Sequence, residues 1–342
     1  EYTYDYANEE YVGKEINTAY LESKFENYEK PTYQFSLNYN NTFAKRHNIG
    51  ATFVWEMYND KKNWVTGTRD FAIGLIPDLD YGNDSNQKSS GKTQKTAHAG
   101  WVGRLNYDYG NRYLVEFNFR YDGTYKFQRG NRWGFFPGVS LGWRVSEEDF
   151  FKKLLPDMDN LKIRASYAKV GDEGDFDAFQ YLDGYTSHGS YIMGSGGVTS
   201  GMTTVGMANS WLTWYESKIM NVGFEVSYHR GLISMEFDWF RRNRSGLPAT
   251  RSGSLPTVFG ESMPQENLNS DINTGFEIAI GHKNKIGEFL YDISANFSTT
   301  RIKYDYVERA ASTNMYDNWR NNTNGRYKSI RWGKRVIGQF TS

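Results

Sequence analysis

The sequence predicts an all-β chain whose antiparallel strands cross a bilayer as part of a transmembrane barrel, and three observations carry that prediction. The first is the stretch 99–146. Trp101, Gly103, Leu105, Tyr107 and Tyr109 alternate with Val102, Arg104, Asn106 and Asp108. After Gly110-Asn111 the pattern resumes, with Tyr113, Val115, Phe117, Phe119 and Tyr121 on one face and Leu114, Glu116, Asn118, Arg120 and Asp122 on the other. A period of two is that of a pleated strand, and the tight Asp-Tyr-Gly-Asn link makes the two runs a hairpin. Each arm holds its alternation for about ten residues, the length a tilted strand needs to cross hydrocarbon. The second observation is composition: 26 Tyr, 22 Phe, 10 Trp and 34 Gly among 342 residues, with only 7 Pro. The mean hydropathy is nevertheless −0.72. Barrel strands show lipid only half their residues, so such a wall reads as hydrophilic. The third is the alternation of short and long links, which emerges when the chain is taken in order.

Residues 1–30 are polar, acidic and tyrosine-rich without a clear period, and read as a loop with room for a short helix. Strands are predicted at 33–39 and 49–57 around a turn at 44–47, followed by a long polar loop at 59–95. The hairpin comes next, then a loop at 124–132 and a strand at 133–146. Glu147–Asn160 reads as one or two helical turns stopped by Pro156. A strand at 161–167 precedes the longest irregular stretch, 171–217. Strands at 220–228 and 233–239 flank His229-Arg230-Gly231. After a loop at 243–269, strands at 274–280 and 289–297 flank a turn at 282–287, and a loop at 303–327 leads to a last strand around 330–340. The total is about eleven strands. The short links (44–47, 110–112, 229–231, 282–287, with 147–160) fall at one end and the long ones (59–95, 124–132, 171–217, 243–269, 303–327) at the other. Outer-membrane barrels divide their connections in this way, short turns periplasmic and long loops extracellular.

Bulk chemistry removes several functions. Lys+Arg and Asp+Glu both number 40, which provides no basic footprint for a nucleic-acid partner. The absence of cysteine excludes disulfides, zinc-thiolate sites and thiol nucleophiles. No run approaches the 18 apolar residues of a spanning helix. The opening EYTYDYANEEYV lacks the basic and apolar regions of a signal peptide, so the leader of an exported protein is expected to lie before this chain. The five histidines (His47, His98, His188, His229, His282) are scattered, no Ser/His/Asp set assembles, and the many carboxylates are accounted for as lumen-facing strand positions. No catalytic residue is predicted. Asp172, Glu173, Asp175 and Asp177 cluster at the start of the longest loop. Ca²⁺ is the one cofactor such a cluster could take, but the spacing is not that of an EF-hand, and a solvated acidic loop start accounts for it better.

The runs GRLNYDYGNRYLVEFNFRYDGTYKFQRGNRWGFFPGVSLGWRVSEEDFF (103–151), LKIRASYAKVGDEG (161–174), TWYESKIMNVGFEVSYHRGLISMEFDWFRR (213–242) and NTGFEIAIGHKNKIGEFLYDISANFS (273–298) closely resemble the SusC/RagA-like TonB-dependent outer-membrane transporters. The resemblance extends over roughly residues 31–340 and weakens in the long loops. It implies a barrel of about 22 strands with a plugged lumen. It also implies residence in the outer membrane of a Gram-negative bacterium of Bacteroidota type, with many passes through outer-membrane lipid. A SusD-like surface lipoprotein is the implied partner, and TonB-ExbB-ExbD the implied source of energy, acting through segments not in this chain. No TonB box, plug or closing strands are present in these residues. The chain is therefore expected to be an internal barrel fragment covering about half the wall.

The resemblance implies import of oligosaccharides or peptides. A soluble all-β carbohydrate-binding module and a passive porin are the alternatives, and they differ in whether the Tyr113/Val115/Phe117/Phe119 row faces lipid or a core. Candidate ligand-binding residues are the aromatics of the long links, above all Tyr185, Tyr191, Trp211, Trp214 and Trp319. Their flat faces suit sugar rings, with Asn and Asp nearby for hydroxyls; an outer aromatic girdle, or loops packing on themselves, uses the same residues otherwise. The stretch 181–215 is rich in Gly, Ser, Thr, Asn and Tyr, which suits a neutral polyhydroxylated ligand better than a charged peptide.

Overall fold

The structure, a computed structural model, describes residues 2–5, 9–13, 19–71, 76, 78–84, 86–193, 197–251, 258, 260–333, 335 and 338. They fall into two compact units, residues 1–33 with 57–97 and residues 34–56 with 98–342. The strands are β1 (Tyr2–Asp5), β2 (Glu10–Gly13), β3 (Ala19–Glu29), β4 (Thr32–Phe43) and β5 (His47–Phe71). They continue as β6 (Lys88–Tyr109), β7 (Tyr113–Thr124), β8 (Trp133–Arg144), β9 (Met158–Asp172), β10 (Tyr185–Met193) and β11 (Gly197–Thr204). The last are β12 (Tyr215–Tyr228), β13 (Ile233–Thr250), β14 (Gln265–Ile286) and β15 (Phe289–Tyr306). Two short helices, α1 (Asp149–Leu154) and α2 (Met315–Asn321), lie in the connections. Eleven strands form one sheet in the order β15-β14-β13-β12-β9-β8-β7-β6-β5-β3, with β4 also paired to β5; β1-β2 and β10-β11 are separate hairpins.

In the larger unit the register carries the apolar row of the 101–121 hairpin from strand to strand. Tyr109 faces Tyr113, and the row runs on through Trp143, Ile163, Phe224, Phe237, Ile278 and Phe297. The next row joins Tyr107, Val115, Leu141, Ala165, Val222, Trp239 and Phe276. These side chains are largely exposed, so the apolar face is a surface and not a core. From Tyr113 to Tyr121 the band spans eight residues, about 27 Å along the strand. A strand tilt of about 40° reduces this to about 21 Å, close to the roughly 25 Å apolar band of an outer-membrane barrel. Aromatic rings bound it. Tyr109 and Tyr113 stack at 6.4 Å near the short turns, and Tyr121 and Trp133 stack at 4.9 Å at the other end.

The short turns use backbone conformations that explain their residues. Ala44 and Lys45, Gly110 and Asn111, and His229, Arg230 and Gly231 all have positive φ, the left-handed backbone by which these links of three or four residues reverse the chain. Neighbouring connections then bond to one another. Gly110 N donates to Arg46 O (2.7 Å), Arg144 N to Arg112 O (2.8 Å), His229 N to Asp157 O (2.8 Å) and Lys283 N to Leu232 O (2.9 Å). At the same end Glu148 is buried beneath α1, accepting from Tyr113 Oη (2.6 Å), Trp143 Nε1 (3.2 Å) and Arg112 (3.1 Å).

Four predicted boundaries are corrected. Residues 1–30 contain strand rather than loop and helix: β3 pairs β5 from Ala19↔Phe71 to Glu29↔Lys61. Its sequence AYLESKFENYE is polar on both faces, which hid the alternation, and Glu26 holds it through Lys24 (2.8 Å) and Lys62 (2.6 Å). The loops at 59–95, 243–269 and 303–327 are shorter than predicted, because β5 reaches Phe71, β6 starts at Lys88, β13 reaches Thr250, β14 starts at Gln265 and β15 reaches Tyr306. Beyond the bilayer both faces of a strand meet water, so the ladder continues after the hydrophobic period has ended. The 171–217 stretch carries the β10-β11 hairpin, whose two-sided polar sequence conceals it in the same way. Finally, no strand forms among the described residues of 330–340. Tyr327 makes a single bridge to Lys303, and Trp332 turns to pack on Trp319; the remaining residues of that predicted strand lie outside those described.

Candidate functional site

The face opposite the apolar band is built from the alternate residues of the same strands and is charged. Arg104 pairs Glu116, and Arg120 reaches both Asp122 (2.9 Å) and Glu56 (2.7 Å). Arg164 joins Glu236 (2.6 Å) and Asp238, while Lys162 approaches Glu225 (3.4 Å). Toward the short turns this face forms a recess of about 1220 Å³ lined by residues such as Asn48, Arg104, Glu116, Ser140, Lys162 and Ser166. Each of these four cations is set beside one or more carboxylates, so charges are held with their partners in a form that suits contact with water or a polar occupant.

At the long-loop end the connections build a small core of their own. Phe127, 1% exposed, meets Phe176 edge-on at 5.5 Å and Trp214 at 6.0 Å, with Leu212 and Tyr215 completing the cluster. Phe136 enters from β8, 5.4 Å from Trp214. It lies where a β-carbon on Gly171 or Gly134 would overlap its ring, so both positions need glycine. Polar side chains then tie the loops together through their backbones. Trp214 Nε1 donates to Arg132 O (2.9 Å), Asn131 Nδ2 to Ser210 O (3.0 Å), Asn209 Nδ2 to Gln265 O (2.7 Å) and Asn267 Nδ2 to Thr213 O (2.8 Å). Buried loop backbone must find partners, and here amides supply them.

The acidic cluster is dispersed by that core. Phe176 points inward, which leaves Asp175 and Asp177 on the exposed side of the turn. Asp172 accepts from Tyr215 Oη (2.6 Å) and Gly174 N (2.8 Å). Glu173 turns the other way, 3.4 Å from His98 Nδ1, while its main-chain oxygen accepts from Lys126 Nζ (2.9 Å). Burial raises the Glu173 carboxyl above its ordinary range, against the lowering influence of Thr124, His98 and Lys126. Among the described residues no group of three or more metal-ligating side chains is gathered closely enough to hold an ion.

The candidate aromatics divide. Trp214 serves the loop core: its indole N–H is satisfied and its half-buried ring meets Phe127 and Phe136 edge-on. Tyr185 and Tyr191 stand exposed on β10, Trp211 is 83% exposed, and Trp319 stands exposed on α2. Sequence reasoning missed Phe127, Phe176, Leu212 and Glu148. The signal available for the first two was a phenylalanine set between charged or polar residues, in TYKFQRG and GDFDAF. Glu148 had none, since EEDFF shows nothing of the three donors that converge on it.

Comparison with known proteins places this geometry. A family described as TonB dependent receptor-like, beta-barrel, matches residues 1–341. The chain is 33% identical over 200 residues to the TonB-dependent receptor SusC of Bacteroides thetaiotaomicron, covering 58% of this chain and 20% of that protein. It is 30% identical over 272 residues to the TonB-dependent receptor P39 of Formosa agariphila, covering 76% of this chain and 25% of that one. Among solved structures, the RagAB peptide importer in its closed-closed state superposes with a TM-score of 0.71 at 17% identity, over 84% of this chain and 32% of that chain. The chain thus spans about a fifth to a quarter of the length of these curated relatives.

Proposed function

The chain belongs to the TonB-dependent receptor-like β-barrel family, and from that membership we propose that it forms part of the wall of an outer-membrane importer in a Gram-negative bacterium of Bacteroidota type. Import, and not catalysis, is the activity of such a protein. The observation that carries the reading is the two-faced sheet: apolar surface across eight strands on one side, paired charges on the other. A soluble module would have to cover the apolar face with a second layer, and the sheet leaves it exposed. TonB-ExbB-ExbD supplies the energy, because binding alone cannot move a ligand uphill, and a SusD-like lipoprotein meets the long-loop end. Detergent-dependent extraction tests the membrane assignment; recovery of the protein in plain buffer overturns it.

The ligand that best suits the exposed Tyr185, Tyr191, Trp211 and Trp319 is a neutral oligosaccharide. Aromatic faces present negative charge density to the C–H groups of a sugar ring, and the surrounding loops supply amides and hydroxyls. The fold similarity to the RagAB peptide importer favours a peptide as the second reading. Calorimetry of the full-length receptor with its lipoprotein, titrated with oligosaccharide and oligopeptide pools, separates them. Heat with peptides and none with any glycan ends the glycan reading.

A further inference from the structure

We infer that the connection after β15 carries a preformed aromatic platform, Trp319 and Trp332 with Tyr316, that stacks on the ring face of a neutral oligosaccharide. The inference rests on the glycan reading above and assigns it a place. Trp319 and Trp332 meet edge-on at 5.2 Å, and Tyr316, one helical turn before Trp319, lies 6.0 Å from it. Despite these contacts the three remain 54%, 52% and 63% exposed. Arg326 lies against both indoles, 5.2 Å and 5.6 Å from the ring centroids.

The rings are held open by a loop whose backbone is satisfied. Asn314 caps α2 by accepting from Asp317 N (2.8 Å). Asn318 closes on Ser312, accepting from its N–H (2.6 Å) and donating to its carbonyl (2.9 Å). Arg326 donates to Trp319 O (2.8 Å) and Arg320 O (3.1 Å). Tyr304 N bonds Arg326 O, and Lys328 N bonds Ile302 O, both at 2.8 Å, which fastens the segment to β15. Large rings on a mobile loop would fold onto one another or onto the wall. Here polar bonds fix the loop while the rings stay in solvent, which lowers the ordering cost of binding. Asn321 and Asn322 of the same connection are exposed. Arg326, the cation that lies on the indoles, already bonds two carbonyls, and Asp317, the carboxylate between Tyr316 and Trp319, accepts from Asn314 Nδ2 (2.6 Å). A neutral ring-bearing ligand fits this chemistry better than a charged chain.

The test uses the full-length receptor with its lipoprotein and a pool of neutral linear hexose oligosaccharides. In the wild-type complex, hydroxyl-radical footprinting should show Trp319 and Trp332 protected when the sugars bind. Trp319→Ala and Trp332→Ala should each weaken binding by about fivefold to tenfold, with Trp319→Phe retaining most of it. Sugars that bind at full strength to both alanine variants, with neither indole protected in the wild type, overturn the platform and leave the glycan reading standing. Absence of any oligosaccharide binding removes the glycan reading and the platform with it. Footprinting needs no substitution, so a variant that fails to assemble does not shield the inference.

Discussion

The two ends of the β-wall are held by different means. At the short-turn end the connections bury few apolar side chains, Val145 beside α1 and Phe151 within it, and cohesion comes also from backbone bonds between neighbouring connections and strands and from Glu148, which gathers Tyr113, Trp143 and Arg112. At the long-loop end the connections are long enough to bury rings, and Phe127, Phe176, Leu212, Tyr215 and Trp214 form a core beyond the apolar band. The difference shows how one sheet can be rigid at one rim with few residues and present a built surface at the other. The second rim is where exposed aromatics stand on a folded base.

The sharpest way to break this comparison is Phe127→Ala. Removing a fully buried ring should cost the loop core about 3–5 kcal/mol. Proteolysis within 171–217 should then occur at lower denaturant, while the heat-modifiable gel mobility of the barrel stays unchanged. A variant that loses both together would show that the loops and wall fold as one unit.

Between the ends, Phe117→Arg should impair assembly by about 2–4 kcal/mol near the membrane midplane, because it places a charge in hydrocarbon. Asn118→Arg, on the charged face, should assemble nearly as the parent does. Folding yields into lipid vesicles measure both, and equal yields would mean the apolar band does not face lipid.

The smallest effect concerns pH, and its sign differs between the rims. Hydrogen bonds from Tyr113 and then Trp143, with the Arg112 charge beside them, hold the Glu148 carboxyl below its ordinary range. Its contribution is therefore present above the unfolded carboxylate value and is lost as pH falls through the folded one. Glu173 is raised by burial. Its contribution is complete below the unfolded value and declines as pH rises through the folded one. Single-tryptophan versions retaining Trp143 or Trp214 report the two rims separately. Acidification should loosen the environment of Trp143 and tighten that of Trp214, and Glu148→Gln and Glu173→Gln should each flatten its own curve. Parallel responses at the two indoles would contradict the assignment.

By itself the sequence determined the wall where lipid acts on it. In 101–121 every second residue must be apolar because hydrocarbon touches one face, so strand, register and turn are all readable from Trp101 to Tyr121. His229-Arg230-Gly231 and Gly110-Asn111 are readable for a related reason, since tight turns demand left-handed backbone and few residues accept it. Tertiary structure alone decided what lies outside the bilayer. Water wets both faces of β3 and the β10-β11 hairpin, so no period marks them, and pairing with a neighbour makes them strands. The predicted total of eleven strands matches the sheet, yet β3 takes the place expected for 330–340. The loop core was hidden for the same physical reason. Phe127, Phe176 and Leu212 are far apart in the chain, and only the return of each strand to the same rim brings their rings together. That Trp214 is half-buried against the loop core and Trp319 exposed follows from that meeting of loops, because either residue by itself is an aromatic in a polar link.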